Sequence, residues 1–246
     1  MRVALLICTV ALFFTFSRGA WLACAVACAF VVAPYVRRLS VPRRRQVLRW
    51  SLAVGTPLLL GAFALALRVE RFRSLFAPAG TAMLRLRLWQ SALRMALDHP
   101  LWGVGLDQFL YLYPRYIHPD AWREPNLSHP HNLVLDFWLR LGLPGVVALG
   151  WIVWLVVGRV RAGGWRAAPG AAPGAAPGAP LVWGVAGALI AVVVHGLMDN
   201  SFFVIDLAYG CWVLLLILEL APEGPTAGTP SAPAPFDHSR ASRRAV

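Results

Sequence analysis

Ser128-His129-Pro130-His131-Asn132 sets two histidines two positions apart around a proline. Histidine is the side chain that titrates nearest neutral pH, so it suits general-base work. A metal site would need more. Ligands at i and i+2 lack a third carboxylate or histidine at a recognised spacing, so no metal ligand is assigned. His131 is the catalytic candidate, and His129 is a substrate-binding one. Asn132 is placed to cap a following helix, and it too borders the site.

Arginines supply the complementary chemistry. A stretch over 82–98 reads as a helix, with Leu84, Leu88, Ala92, Met95 and Ala96 on one arc. Arg87, Ser91, Arg94 and Asp98 fall on the opposite, solvated arc, with Arg94 and Asp98 spaced as an i,i+4 ion pair. Arg85 falls inside the apolar arc, where a guanidinium needs an anionic or hydrogen-bonding partner. Arg87 is explained by its solvated face, and its nearness to Arg85 keeps it a substrate-binding candidate. Arg18, in Ser17-Arg18-Gly19, interrupts two apolar runs. A charge at membrane depth is costly and marks a substrate path. His195 and Asp199 stand at i,i+4, with Asn200 and Asp206 following. They either pair to fix a helix end or line the same cavity as His131, which makes both substrate-binding candidates.

These residues must be positioned by a membrane protein. Of 246 residues, 59% are hydrophobic and 14% charged, and the mean hydropathy is +0.62. Neither a soluble domain nor a disordered chain tolerates that balance. The formal charge is +12, from 23 basic residues (all arginine) and 11 acidic ones. Nucleic-acid binding is not expected, because a basic patch serves it only on a solvated surface. Four cysteines, Cys8, Cys24, Cys28 and Cys211, lie in apolar runs and read as buried small hydrophobes.

Six transmembrane helices are expected, over 3–16, 20–36, 50–67, 143–157, 181–198 and 202–220. The Ser-Arg-Gly triplet is expected as a turn, because one helix through both first runs would be about 50 Å long. A signal peptide over 3–16 is the lesser alternative. Arg37, Arg38, Arg43, Arg44, Arg45 and Arg49 mark the cytoplasmic side. Residues 1–67 thus form three spans. Residues 68–143 form a long polar loop on the opposite face, with Tyr111, Tyr113, Tyr116, Trp122 and Trp138 as interface or sugar-stacking aromatics. Residues 144–220 form three more spans, interrupted by an Ala/Pro/Gly linker at 161–180. Residues 221–246 read as a disordered tail. Both termini then lie in the cytoplasm. A solute transporter is disfavoured, because no internal repeat is present.

The order of these features resembles the C-terminal half of the O-antigen ligase/polymerase superfamily. The resemblance covers about residues 3–220. It rests on Ser17-Arg18-Gly19, on Arg85-Leu-Arg-Leu-Trp89 leading into Asp98-His99-Pro100-Leu101-Trp102-Gly103-Val104-Gly105, on His129-Pro-His131-Asn132 with Gly142 and Gly145 downstream, and on His195 to Asn200. It implies an all-α, polytopic, GT-C-like fold in a bacterial inner membrane, with the site facing the periplasm. It implies metal- and cofactor-independent transfer of a glycan from undecaprenyl diphosphate to an acceptor hydroxyl on a glycan, lipid A–core or protein. Arg18 and Arg85 match the family's diphosphate-contacting arginines, and His131 its catalytic histidine. Family members carry further N-terminal spans. That implies a partner supplying such helices, or alternatively a truncated or accessory, non-catalytic subunit of surface-polysaccharide assembly. Arg140 departs from the family pattern and is spaced to pair with Asp136.

Overall fold

A computed structural model describes residues 2–68, 81–121, 125–164, 179–200 and 202–221. Every regular element among them is helical, as expected: α1 (Arg2–Phe14), α2 (Arg18–Arg38), α3 (Val41–Arg68), α4 (Thr81–Asp98), α5 (Phe109–Tyr116), a 3-10 turn (Pro119–Ala121), α6 (Leu133–Gly164), α7 (Ala179–Gly196) and α8 (Ile205–Leu220). Trp122, most of the Ala/Pro/Gly linker and the tail from 222 lie outside the described residues. The linker is shorter than expected at both ends, since α6 runs to Gly164 and α7 starts at Ala179.

The helices form two packed bodies. In the first, α7 is central and packs on α2, α6 and α8. Val160, Val182, Val185, Ala186, Leu189 and Leu218 form its core. Arg37 and Leu133 end and begin the two long apolar helices, Arg18–Arg37 and Leu133–Ala162, that are long and apolar enough to cross a membrane. Little of either is buried, so their apolar surface faces outward. The apolar stretches Val3–Phe14 and Pro180–Gly196 are shorter. A helix the length of α1 rises only about 20 Å.

In the second body, Leu88, Ala92, Met95, Phe109, Tyr113 and Leu139 make a separate core among α4, α5 and the first turns of α6. The described residues of the segment read as a polar loop therefore contain a folded subdomain. Tyr113 is buried and stacks on Phe109 at 5.2 Å, so it is a core residue and not a surface aromatic.

A glycine clip joins the bodies. Gly142, at φ 70° and ψ −160°, breaks α6 between its amphipathic start and its apolar run. Gly103, at φ 66°, crosses it. A Cβ on Gly142 would lie 2.6 Å from Trp102 Cα, and one on Gly103 would lie 2.6 Å from the Trp138 carbonyl oxygen. Only glycine suits a left-handed backbone at such a crossing. The groups freed by the break are satisfied across it. Val104 and Gly105 N–H donate to the Leu139 oxygen at 2.6 and 3.2 Å, and Leu143 N–H donates to the Pro100 oxygen at 3.0 Å. Trp138 Nε1–H adds a bond to the same Pro100 oxygen at 3.1 Å.

Candidate active site

Helix α4 follows its apolar period and buries Leu88, Ala92, Met95 and Ala96. Ser91 differs from expectation: it is fully buried. It sits at the edge of the apolar arc and satisfies its hydroxyl by donating to the Arg87 carbonyl oxygen at 3.0 Å. The expected Arg94–Asp98 pairing is also replaced, because Asp98 accepts from Tyr116 Oη at 2.9 Å.

The two arginines of α4 have different partners. Arg87 reaches Asp120 at 3.3 Å and His118 Nε2 at 3.3 Å, so it ties the 3-10 turn to α4 rather than sitting on a bare solvated face. Arg85 reaches Asp199 Oδ2 at 3.7 Å with its side chain 38% exposed. That loose contact leaves the guanidinium able to meet another anion.

His131 occupies the turn before α6, with φ 50°. This left-handed conformation is uncommon outside glycine. It is held from three sides. Trp89 Nε1–H donates to the His131 carbonyl oxygen at 3.3 Å. Asn132 caps α6 as expected, its Oδ1 accepting from Val134 and Leu135 N–H at 3.1 Å each, while its Nδ2 donates to the Leu197 oxygen at 3.2 Å. The third restraint is Asp199, whose Oδ1 lies 2.6 Å from His131 Nδ1.

Asp199 is held ionised. Burial pushes its pKa up, but hydrogen bonds from His131 and Asn200 N–H, with the charges of His131 and Arg85, outweigh that and bring it to about 2. An ionised carboxylate only accepts, so Nδ1 of His131 carries the proton and Nε2 keeps its lone pair when the ring is neutral. Arg85 and His131 then line one cleft of about 180 Å³, walled by Leu84, Leu88, Tyr113 and Leu127.

His129 packs edge-on against His131, ring centroids 4.1 Å apart. Its Nδ1 is buried with no hydrogen-bond partner among the described residues. Burial, with the nearby His131, lowers its pKa to about 4, so at neutral pH it is uncharged and unsuited to hold an anion by charge. Among the described residues no group of three or more His, Cys, Asp or Glu is placed to hold a metal ion.

His195 does not pair with Asp199. It lies against the start of α2, its Cδ2 3.6 Å from where a Cβ on Gly19 would stand. With Asp206 it lines an apolar groove of about 720 Å³ among α2, α7 and α8. Arg18 is the first residue of α2 and not part of a turn; Thr15–Ser17 makes the connection, and Ser17 Oγ caps the helix by accepting from Ala20 N–H at 3.2 Å. A cation at a helix N-terminus opposes the helix dipole, so helix stability does not explain Arg18. Of the cysteines only Cys211 is buried; Cys8 and Cys28 are exposed on their helices.

The O-antigen ligase family model matches residues 3–150, more than half of the chain. The chain belongs to the O-antigen ligase family. The match ends inside α6, so it covers Arg18, Arg85 and the His129–Asn132 turn, while Asp199 lies beyond it. A search of the curated proteins finds no match. Membership makes this O-antigen ligase-family chain a membrane protein of polysaccharide assembly, with glycosyltransferase- or ligase-type activity and glycan donor and acceptor substrates in general terms. Contacts between distant segments complete the arrangement. Asp199 arrives from the turn after α7, and Arg140 is gripped by Asp136 at 2.7 Å and Asp107 at 2.5 Å, with its guanidinium 4.7 Å above the Phe203 ring. The Arg140–Asp136 pair matches its i,i+4 spacing. The other partners are 33 or more positions away, beyond any local signal.

Proposed function

We propose that the protein transfers a glycan from undecaprenyl diphosphate to an acceptor hydroxyl, with His131 as general base. The single observation carrying this reading is the His131–Asp199 contact in a cleft shared with Arg85. His131 Nε2 removes the acceptor's hydroxyl proton as that oxygen attacks the anomeric carbon. The bond from that carbon to the diphosphate oxygen breaks, and the electron pair leaves with the diphosphate. One displacement of this kind inverts the anomeric centre. Asp199 keeps the proton on Nδ1 and stabilises the imidazolium that forms, as in other His–carboxylate pairs.

Arg85 neutralises the leaving diphosphate. Its planar fork of N–H donors matches phosphate oxygens. Arg18 adds a second cation at the start of α2, where the helix dipole also favours anions. Fixed positive groups aimed at developing charge are a large catalytic term. His195 and Asn132 border the donor side, and His129 shapes the pocket as a neutral ring. Six spans with both termini in the cytoplasm would set the α4–α5 subdomain in the periplasm, where lipid-linked glycans are joined.

The test is glycan transfer in cells whose only copy carries Arg85→Ala or His131→Ala. Membrane insertion should persist while transferred surface glycan disappears. Normal surface glycan in the Arg85→Ala strain would overturn the reading. Profiling a deletion strain separates the two products: loss of all attachment identifies a ligase, and single-repeat caps identify a polymerase.

A further inference from the structure

The wheel that buries one face of α4 leaves a second apolar stripe unexplained. Leu86, Leu93 and Leu97 fall within about 40° of one another on the outward side at 100° per residue, and all three are exposed. The stripe runs on past the end of α4 into Leu101 and Trp102, which are 60% and 79% exposed. A soluble surface does not gather its largest apolar side chains in one strip.

The glycine clip fixes where this strip lies. Leu143 N–H bonds the Pro100 oxygen, and Trp102 Cα stands 2.6 Å from where a Cβ on Gly142 would be. Gly142 is the point at which α6 begins its uninterrupted apolar run. Leu101 and Trp102 therefore stand beside the start of the apolar run of a membrane-length helix, and both are exposed there. Arg94, also exposed, borders the stripe on α4 and offers a cation that can pair with lipid phosphates. Tryptophan at the boundary and leucine on one helical face, flanked by arginine, is the pattern of a helix lying in a bilayer interface.

We infer that the outward face of α4 and the Leu101–Trp102 corner dip into the adjacent lipid leaflet and anchor the subdomain on the membrane surface. The occupant of this face is lipid headgroup and upper acyl chain. The anchor fixes the height of the α4 cleft, which faces away from the stripe, relative to lipid phosphates. This holds whether or not His131 is the base, because it concerns only depth.

The test is nitroxide depth measurement on the full chain in phosphatidylcholine–phosphatidylglycerol vesicles. Cys8, Cys24, Cys28 and Cys211 are first replaced by alanine, and single labels go on Leu97→Cys, Leu101→Cys and, as an independent site, Trp102→Cys. Leu143→Cys serves as a lipid reference and Pro119→Cys as a water reference. The expected result is collision with oxygen severalfold above that with a water-soluble nickel chelate at 97, 101 and 102, as at 143 and unlike 119. Nickel collision equal to that at 119 would overturn the inference by showing a solvated face. Exclusion of both reagents with an immobilised spectrum would overturn it too, by showing that protein, such as a second copy, covers the face.

Discussion

Asp199 Oδ1 and His131 Nδ1 lie 2.6 Å apart across 68 positions of chain, joining the turn after α7 to the turn before α6. The contact couples the subdomain to the helical bundle and selects the histidine tautomer. If it serves catalysis, Asp199→Asn keeps the size of the side chain but removes the charge that holds the proton on Nδ1. Transfer measured in membranes should fall strongly while acceptor binding changes little. His131→Ala should cost roughly 10² to 10⁴ in rate, the range for a lost general base. Equal rates for wild type and Asp199→Asn would leave the contact a purely structural tie.

Arg85 and Arg87 should separate by phenotype although they are two residues apart. Arg85 has one loose partner, so Arg85→Ala should abolish transfer with little change in thermal unfolding. Arg87 holds Asp120 and His118 of the 3-10 turn, so Arg87→Ala should lower the unfolding temperature in detergent. Replacing a partner of part-buried polar groups costs about 1–3 kcal/mol. Arg87→Lys should recover part of that loss.

Stability should depend on His129 below neutral pH. Its pKa is lowered to about 4 in the folded chain, against an ordinary value of about 6.5. Between those values the unfolded chain binds the extra proton, so stability is full above pH 6.5 and declines as the pH falls toward 4. His129→Leu should flatten that decline in unfolding temperature measured across pH 7 to 4. An unchanged slope would show that another group controls it. Asp199 acts in the same direction at lower pH, its contribution lost as the pH falls through about 2.

The glycine clip gives a steric prediction. Gly142→Ala places a Cβ against the Leu101 carbonyl and 2.6 Å from Trp102 Cα, at backbone angles open essentially only to glycine that alone cost alanine on the order of 1–3 kcal/mol. Monodisperse protein in detergent should be largely lost. Gly150→Ala is the control, because a Cβ there meets nothing within 4 Å. It should be recovered at wild-type levels.

Arg159 of α6 closes the end of α8, donating to the carbonyl oxygens of Leu218 at 3.2 Å, Glu219 at 2.7 Å and Ala221 at 2.7 Å. A helix end leaves its last carbonyls without partners, and the fork of an arginine satisfies several at once. Arg159→Leu should destabilise the α6–α8 packing by about 1–3 kcal/mol, read as a lower unfolding temperature. Arg159→Lys, with a point charge in place of a fork, should fall between the two.

Helices and motif residues were legible where short-range periodicity decides them. The buried arc of α4, the Asn132 cap and the Arg140–Asp136 pair depend on spacings of three or four residues, and one helix sets those whatever it packs against. The family motifs were legible for the same reason, since each is a short run. Ser91 shows the limit of that reading. It was read onto the opposite, solvated arc, yet it is fully buried, which its spacing along the helix does not decide. The same holds for the helical register of Arg18, which depends on Ser17 capping α2 and ending the turn two residues earlier than the apolar pattern implied. Contacts between distant segments carry no local period. The choice of His131 over His195 as the partner of Asp199, the tie from Arg87 to Asp120, and the crossing of Gly103 with Gly142 were settled only when chain closure brought those segments together. A carboxylate at i+4 from one histidine and 68 positions from another satisfies both spacings equally on paper, and three-dimensional packing is the force that chooses between them.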